Sequence, residues 1–548
     1  MVLFPWCCRP RKRKDQLPWK QIEAAASDLE SLPSWHDPED NTLLLEAFEW
    51  HVPDDKRHWR RLQRVLPSLK AIGVDSLWLP PGCKAMNPGG NGYDIYDLYD
   101  LGEFDQKGVR PTKWGSLQEL RELVADAHAL QLGVYWDAVL NHKAGADYHE
   151  RFMAVKVDPK RRDVEIAAPT QIDGWTGFDF AGRGAVYSSM QYHWQHFSGV
   201  DWDDRSQTNA IYRVADKQWA ADVGTELGNY DYLMFANLDY AHPEVRADVL
   251  HWAAWIGATL GLRGMRLDAA KHFSLQFQKE LTAHMRATTH EAFVVIGEYW
   301  TGDVHELVRY VKQMEHTVWA VDAPLVHSFS RVSLDSRADL RQVLRGTLMQ
   351  RCPENALTFV ENHDTQPGQM MENTIAPEFK LLAYAFILLR REGHPCVFYG
   401  DLYGIWDGQC AQHDRAGYGR QLPILTRVRK LYAYGEQQDY LDEAHCIGFV
   451  RYGNARHRAG LACVLHWGPS ETAATKRMYV GPGHAHETWT DVLESGSSSS
   501  SSSSSPVVID EHGYGLFPVS GRGVSVWVNA SVPDRARLSE PFDHDIYA

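Results

Sequence analysis

The feature that most constrains the fold is a repeated alternation of short apolar runs with helical segments. Eight such runs, several of which carry polar residues near their ends, lie at 42–48, 75–80, 133–142, 264–270, 292–300, 317–325, 356–364 and 394–404. Helical patterns fill the intervals, as at 117–131 and at 243–260, where Pro243 suits a first helical position. Alternating strands and helices give parallel strands with helical crossovers, and eight units can close without leaving an edge. The sequence therefore predicts an α/β fold, a (β/α)8 TIM barrel.

One interval is too long for a barrel connection. About 120 residues separate the third and fourth runs, whereas such connections are normally short. This stretch is rich in Trp, Tyr, Asp and Gly, so we predict an inserted domain at 142–235, after the third strand. The barrel itself is then expected at 41–141 and 236–432.

The C-terminal part has a different pattern. After about residue 432 the helical periodicity fades, and short alternating segments such as 445–452 and 523–530 predict antiparallel strands. We expect a β-sandwich domain at 433–548. Within it, the polyserine stretch 495–505 cannot bury surface to offset the entropy of ordering, so it is predicted to be a loop.

Composition excludes several classes of protein. Apolar residues make up 44% and charged residues 23%, which rules out global disorder. The net charge of −15 argues against a nucleic-acid partner, which needs a basic face. The eight cysteines form no C-x-x-C pair, so neither zinc nor a redox motif is indicated. The 20 tryptophans suit either sugar binding or a large core.

The first 40 residues read as a basic tail with a cysteine pair. Cys7 and Cys8 precede a basic run at 9–14, which is the reverse order of a secretory signal. One interpretation is double S-acylation beside a polybasic patch, which would hold the protein on the inner membrane face. The other is a disordered tail or a nuclear signal. We expect a cytoplasmic protein that is not secreted, and Val2 excludes N-myristoylation.

Acidic residues recur where the apolar runs end. They are Asp137, Asp268, Glu298 and Asp364. In an α/β barrel these ends form the face that carries the active site. One such acid alone would suggest a helix cap or an ion pair, but several like charges at one mouth are costly to desolvate. Because Arg266, His142 and His363 accompany them, we predict a common site.

The same segments carry a family resemblance. DAVLNH (137–142), GMRLDAAKH (264–272), IGEYW (296–300) and FVENHD (359–364) resemble the four signature segments of the alpha-amylase family of retaining glycoside hydrolases. Further segments at 48–55, 58–63, 92–104 and 229–245 resemble the liquefying-type bacterial enzymes and their intracellular fungal relatives. The resemblance covers about 42–435. It implies endo-acting hydrolysis of α-1,4-glucosidic bonds in starch- or glycogen-type glucans.

The resemblance also implies a role for each site residue. Asp268 would be the nucleophile, Glu298 the general acid and base, and Asp364 the residue that stabilises the transition state. The substrate-binding residues implied are Arg266, His142, His363, Tyr93, Lys271 and Trp300. We expect a raised Glu298 pKa, and Asp268 and Glu298 carboxyl groups about 5–5.5 Å apart, as retaining enzymes have them. Tyr93 and Trp300 could instead be packing aromatics, His142 a structural histidine, and Asp137 is expected to be a supporting residue.

The resemblance further implies one calcium ion that joins the insertion to the barrel. The matching ligands are Asn141, Asp231, Asn237 and the backbone carbonyl of His272. The family usually has aspartate at the position of Asn237, so a weaker site is expected. The acids of an additional metal cluster match Ser198 and Ala220 here, and we expect no second cluster.

Two other functions stay open on the sequence alone. An α-glucanotransferase would share the covalent intermediate and pass it to a sugar hydroxyl, as in cell-wall α-glucan synthesis. A non-catalytic glycan-binding scaffold is disfavoured because Asp268, Glu298 and Asp364 are all present. In each case the expected partner is an α-1,4-glucan, with no nucleic acid, and the chain is expected to be a monomer.

Overall fold

The computed structural model describes residues 41–335, 337–408, 411–412, 420–469, 472–493 and 505–547. The predicted basic tail at 1–40, with Cys7 and Cys8, lies outside the described residues, as does most of the polyserine loop 495–505. Within the described ranges, no helix has both the length and the apolar character needed to cross a membrane.

Eight parallel strands close into a barrel in which each strand pairs with its neighbours in sequence. They are β1 (Leu44–Glu46), β2 (Ser76–Leu79), β3 (Gly133–Ala138), β4 (Gly264–Leu267), β5 (Val294–Gly297), β6 (Val318–Val321), β7 (Ala356–Thr358) and β8 (His394–Phe398). Pairing of Leu44 with Cys396 joins β1 to β8 and completes the ring. Every strand falls inside one of the predicted runs, so the predicted TIM barrel is confirmed.

Helices lie between the strands and after the last one. They are α1 (His58–Ala71), α2 (Leu117–Ala129), α3 (Pro243–Leu260), α4 (Leu275–Thr288), α5 (Val304–Gln313), α6 (Ala323–Leu334), α7 (Leu348–Arg351), α8 (Pro377–Leu389), α9 (Tyr399–Tyr403) and α10 (Leu422–Tyr432). Local signals set their ends. Ser116 and Glu119 form a capping box at the start of α2, and Gly261 ends α3 in the left-handed conformation.

A separate antiparallel sheet is inserted between β3 and α3. Its main strands are Tyr148–Asp158, Arg161–Glu165, Thr170–Gly177, Phe197–Asp203 and Thr208–Val214. The chain enters through His142–Lys143 and leaves through Ala236–Leu238, and these two segments pair with each other. The insertion lies where the long interval predicted it, although the limits 142–235 stay a prediction.

The C-terminal residues form two antiparallel sheets. Six strands make the larger one: Gln437–Tyr440, Cys446–Arg451, Leu461–His466, Thr488–Asp491, Val507–Val508 and Gly523–Asn529. Ala474–Tyr479 and Tyr514–Val519 form the smaller sheet. Trp489, Phe517 and Trp527 are buried in one apolar cluster to which both sheets contribute. The predicted C-terminal β domain is therefore present.

Candidate active site

One buried guanidinium organises the carboxyl ends of three neighbouring strands. The Arg266 side chain is 1% exposed. Its Nη1 donates to Asp137 Oδ1 at 2.6 Å and to Asp268 Oδ1 at 3.0 Å, and its Nη2 donates to Glu298 Oε2 at 2.8 Å. Arg266 pairs with Asp137 across β3 and β4, and Asp268 lies two residues further along the same face. Strand register therefore brings these groups together.

A wall of stacked rings lies beside this cluster. The Tyr93 and His363 rings are nearly parallel with centroids 5.2 Å apart, and the Trp50 ring stacks 5.8 Å from Tyr93. The Tyr93 hydroxyl donates to Asp137 Oδ2 at 2.9 Å and lies 2.7 Å from His363 Nε2. His363 Nδ1 is 2.5 Å from Glu46 Oε1. These bonds fix the orientation of Tyr93 and His363, to which the family resemblance assigns substrate binding.

The third predicted acid completes the group. Asp364 Oδ2 is 3.2 Å from His363 Nε2, and its side chain is 22% exposed. Burial, followed by the negative charge of Glu298, raises the Asp364 pKa to about 7. Burial also raises the pKa of Asp268 well above its usual range, although the Arg266 guanidinium opposes this effect. Asp268, Glu298 and Asp364 therefore share one electrostatic environment.

Lys271 and Trp300, two further predicted substrate-binding residues, are joined by a hydrogen bond near Glu298. Lys271 Nζ donates to the backbone carbonyl of Trp300 at 2.6 Å and to Glu226 at 3.0 Å. Glu226 belongs to the inserted segment and is 44% exposed, so Lys271 joins the insertion to the barrel. His142 Nε2 is 2.8 Å from the Tyr93 carbonyl, and burial lowers the His142 pKa to about 4. This histidine is neutral at physiological pH.

Three of the four predicted calcium ligands lie in one chain of hydrogen bonds. Asn141 Nδ2 donates to Asn237 Oδ1 at 3.1 Å, Asn237 Nδ2 donates to Ser198 Oγ at 2.8 Å, and Ser198 Oγ donates to Asp231 Oδ2 at 3.4 Å. The fourth, His272, is tied to the same loop because its Nδ1 is 2.8 Å from the carbonyl of Tyr230. Buried Asn141 Oδ1 has no hydrogen-bond partner among the described residues.

This oxygen-rich set fits a hard divalent cation. Amide, carboxylate and carbonyl oxygens are the ligands that calcium prefers. The unpartnered Asn141 Oδ1 would otherwise be a costly buried acceptor, and ligation would satisfy it.

A second group with suitable ligand atoms lies at the start of α3. Atoms of His196, His242 and Glu244 lie within 4.8 Å of one another. However, His196 Nδ1 accepts from the backbone N–H of His193 at 2.8 Å, so a neutral ring carries its proton on Nε2. That nitrogen is 3.0 Å from Glu244 Oε2. The arrangement therefore suits a hydrogen bond between His196 and Glu244 better than a metal ion.

Some residues of the site were not singled out from the sequence. Glu46 is the last residue of strand β1, so the strand-end signal that selected Asp268 could have selected it too. Trp50 lies in the segment 48–55, which carries part of the family resemblance, but the resemblance assigned it no role. Glu226 lies in the long insertion, and no local pattern indicates that it contacts Lys271.

The barrel and its cluster of carboxylates around one arginine define a glycoside hydrolase of the barrel type. The family described as "Alpha amylase, catalytic domain" matches residues 58–430. The chain is 41% identical to an alpha-amylase of Bacillus licheniformis, covering 89% of this chain and 93% of that protein. It is 35% identical to a cytoplasmic alpha-amylase of Escherichia coli, covering 89% of this chain and 99% of that one. The chain belongs to the alpha-amylase family.

Solved structures agree on the fold. An alpha-amylase of Geobacillus thermoleovorans, crystallised with acarbose, superposes with a TM-score of 0.59 at 17% identity, over 91% of this chain and 100% of that one. An alpha-amylase of Malbranchea cinnamomea gives a TM-score of 0.59 at 16% identity, over 90% of this chain and 97% of that one. At these identities the similarity concerns the fold alone.

Proposed function

We propose that the chain hydrolyses internal α-1,4-glucosidic bonds of starch- or glycogen-type glucans with retention of configuration. The observation that carries the proposal is the placement of Asp268 and Glu298 on the two nitrogens of one Arg266 guanidinium. This holds two carboxyl groups near each other on a cleft wall, as a double displacement requires. Relatives named alpha-amylases, 35% and 41% identical over most of the chain, support the same activity.

In the first step Asp268 attacks the anomeric carbon as the glycosidic C–O bond breaks. Glu298 gives its proton to the departing oxygen, so a neutral sugar hydroxyl leaves and a glycosyl ester of Asp268 remains. In the second step Glu298 takes a proton from water, whose oxygen displaces Asp268. Arg266 keeps the nucleophile oriented through its 3.0 Å bond. The separation of the Asp268 and Glu298 carboxyl groups, expected at about 5–5.5 Å, stays a prediction.

The surrounding residues are proposed to hold the sugar at the scissile bond. The stacked ring of Tyr93 supplies an apolar face, and His142 and His363 supply ring nitrogens at its edge. Asp364 would bind sugar hydroxyls and stabilise the positive charge of the transition state. Lys271 and Trp300 lie on the side of Glu298, where the departing chain would be.

Replacing the nucleophile tests the proposal directly. Asp268→Asn removes the attacking charge, so turnover of soluble starch should fall by a factor of about 10⁴ or more while binding to insoluble starch persists. Asp126→Asn, on the exposed side of α2, is the matched control and should act at the wild-type rate. An Asp268→Asn variant with wild-type turnover would refute the assignment.

Product analysis separates hydrolysis from transfer. Maltoheptaose should give only shorter sugars, because water intercepts the covalent intermediate. Longer products would instead support the glucanotransferase alternative, which the named relatives do not favour. If maltoheptaose stayed uncleaved, the non-catalytic glycan-binding scaffold would be the remaining hypothesis.

We infer that one calcium ion is held by Asn141, Asp231, Asn237 and the His272 carbonyl. When bound, it would cross-link the insertion to the barrel, and the catalytic residues would act without touching it. Chelation should therefore lower the melting temperature, because a ligand bound only to the native state at about 100 times its Kd contributes about 2.7 kcal/mol. Differential scanning calorimetry with and without chelator measures this shift.

The control for chelation is a variant with one ligand removed. Asp231→Asn loses the charged ligand, so chelator should change its melting temperature much less than that of the wild type. Equal melting temperatures of the wild type with and without chelator would contradict the calcium site.

We further propose that the protein acts inside the cell as a monomer and that its N-terminal cysteines tether it to the inner membrane face. The cytoplasmic relative supports the compartment. Cys83, Cys352, Cys396, Cys446 and Cys463 carry free thiols, as expected there. Membrane recovery unchanged by joint Cys7→Ser and Cys8→Ser replacement would argue against the tether.

A further inference from the structure

Glu46, the last residue of β1, is a buried acid that meets the proposed catalytic residues through His363. The side chain of Glu46 is 1% exposed and that of His363 is 0% exposed. Glu46 Oε1 lies 2.5 Å from His363 Nδ1, whereas the other ring nitrogen, Nε2, is 2.7 Å from the Tyr93 hydroxyl and 3.2 Å from Asp364 Oδ2. Glu46 and Asp364 therefore lie at opposite nitrogens of one imidazole.

Aromatic rings hold this imidazole in place. The Phe48 ring has its centroid 4.8 Å from that of His363. The Tyr93 and Trp50 rings lie nearly parallel to the imidazole, at 5.2 and 6.1 Å. Because close packing opposes a flip of the ring, each nitrogen keeps its own partner.

The hydrogen bonds around the ring decide which nitrogen carries its proton. The single proton of the Tyr93 hydroxyl goes to Asp137 Oδ2 at 2.9 Å, so the Tyr93 oxygen can only accept from His363, and Nε2 must carry a proton. In a neutral ring Nδ1 is then a bare acceptor that needs a donor. The atom at 2.5 Å is Glu46 Oε1, and a carboxyl group donates only when it is protonated.

We propose that Glu46 is a positioning residue that stays a neutral carboxylic acid, donates a hydrogen bond to Nδ1 of His363 and thereby directs the Nε2–H of that ring toward Asp364. No proton changes its owner, because the bond only selects the tautomer. A hydrogen bond to the charged form of an acid favours ionisation, so Nε2–H helps Asp364 to carry its negative charge. The proposal rests on the glucan hydrolysis proposed above and adds to it a residue that contacts no substrate.

The surroundings of Glu46 favour a neutral acid. Besides His363, the titratable and charged groups that face it are Arg266, Asp137, Asp364 and the thiol of Cys396. Burial has the largest effect and raises the Glu46 pKa well above its usual value, although the backbone N–H of His363 and the charge of Arg266 oppose it. Burial also lowers the His363 pKa well below its usual value, which keeps the ring neutral.

Infrared spectroscopy tests the protonation state without relying on activity. The wild type should show the C=O stretching band of a protonated carboxylic acid throughout pH 5 to 9, and Glu46→Gln should remove that band. Glu122→Gln, on the exposed face of α2, is the matched control and should keep it. Loss of a carboxylate band instead, on Glu46→Gln, would overturn the inference.

Kinetics test the positioning role. Glu46→Met occupies similar space but offers Nδ1 no donor, so kcat/KM for soluble starch should fall about tenfold. The pH at which Asp364 ionises should rise by about one unit, because this carboxylate loses support from Nε2–H. Glu46→Gln, whose amide still donates, should restore most of the rate and the wild-type pH midpoint.

The pH midpoint does not depend on how much enzyme is folded, so a less stable variant remains informative. A wild-type midpoint in Glu46→Met, or a Glu46→Gln variant as impaired as Glu46→Met, would overturn the inference. A wild type that leaves starch intact would refute the proposed hydrolysis instead, and the infrared measurement would still decide the state of Glu46.

Discussion

At the scale of single residues, the charge balance of the site explains how it can hold a proton. Asp137, Asp268, Glu298 and Asp364 surround one guanidinium, that of Arg266. Four carboxylates facing a single positive charge cannot all ionise cheaply in a buried cluster, so at least one proton is retained near neutrality. The pKa of about 7 places this proton on Asp364, the acid that is proposed to stabilise the transition state.

The first prediction concerns the pH dependence of catalysis. Since the pKa of Asp364 is about 7, this carboxyl group is neutral below that pH and gains above it the negative charge that is proposed to stabilise the transition state. We expect kcat/KM for soluble starch to rise as the pH rises through about 7. Rates measured from pH 5 to 9 at constant ionic strength check this expectation, and a rate that is flat between pH 6 and 8 would contradict it.

At the scale of elements, strand ends could be predicted from the sequence, but their roles could not. Asp322 closes the sixth run just as Asp268 closes the fourth. Yet its carboxylate caps α6 through the backbone N–H of Leu325 and accepts from those of Leu348 and Met349. Periodicity locates a strand and its last residue, whereas the partners of that residue depend on loops that only the three-dimensional structure specifies.

The same limit applies inside the site. The register of β3 and β4 follows from the barrel, so the pairing of Arg266 with Asp137 was within reach of the sequence. The contact of Glu226 with Lys271 was not, since the two residues lie 45 positions apart, with the end of the insertion, α3 and β4 between them. Family resemblance supplied most of the remaining assignments.

The capping role of Asp322 gives a second prediction. Replacing Asp322 by alanine leaves buried backbone N–H groups without an acceptor, so the free energy of unfolding should fall by about 1–3 kcal/mol. The cleavage pattern of maltoheptaose should not change, because Asp322 does not line the cleft. Urea unfolding measures the first effect. A loss of activity in the fully folded variant would show that the acid belongs to the site after all.

At the scale of the whole molecule, the C-terminal sheets are packed onto the last helices of the barrel. Trp467 lies edge-on to Phe379 of α8, with centroids 5.1 Å apart, and is 4% exposed. Arg390, just after α8, donates to both carboxylate oxygens of Asp439 at 2.7 and 2.8 Å. An apolar contact and a two-point ion pair therefore join the two regions.

These contacts predict that the barrel and the C-terminal domain unfold together. We expect a single calorimetric transition, which Trp467→Ala should move to lower temperature because removing a buried tryptophan costs about 3–5 kcal/mol. The exposed Leu516→Ala is a suitable control. Two separate transitions, only one of them displaced by the substitution, would show that the domains are energetically independent.

The paired segments at the root of the insertion have one more consequence. Because His142 faces Asn237 across that pair, the chain departs from the barrel and returns to it at adjacent points. The lobe could thus change in size over evolution without stretching the ring beneath it. The base of the insertion, however, carries His142, which contacts Tyr93 in the site. An inserted sheet taken from another protein would therefore have to supply an equivalent histidine.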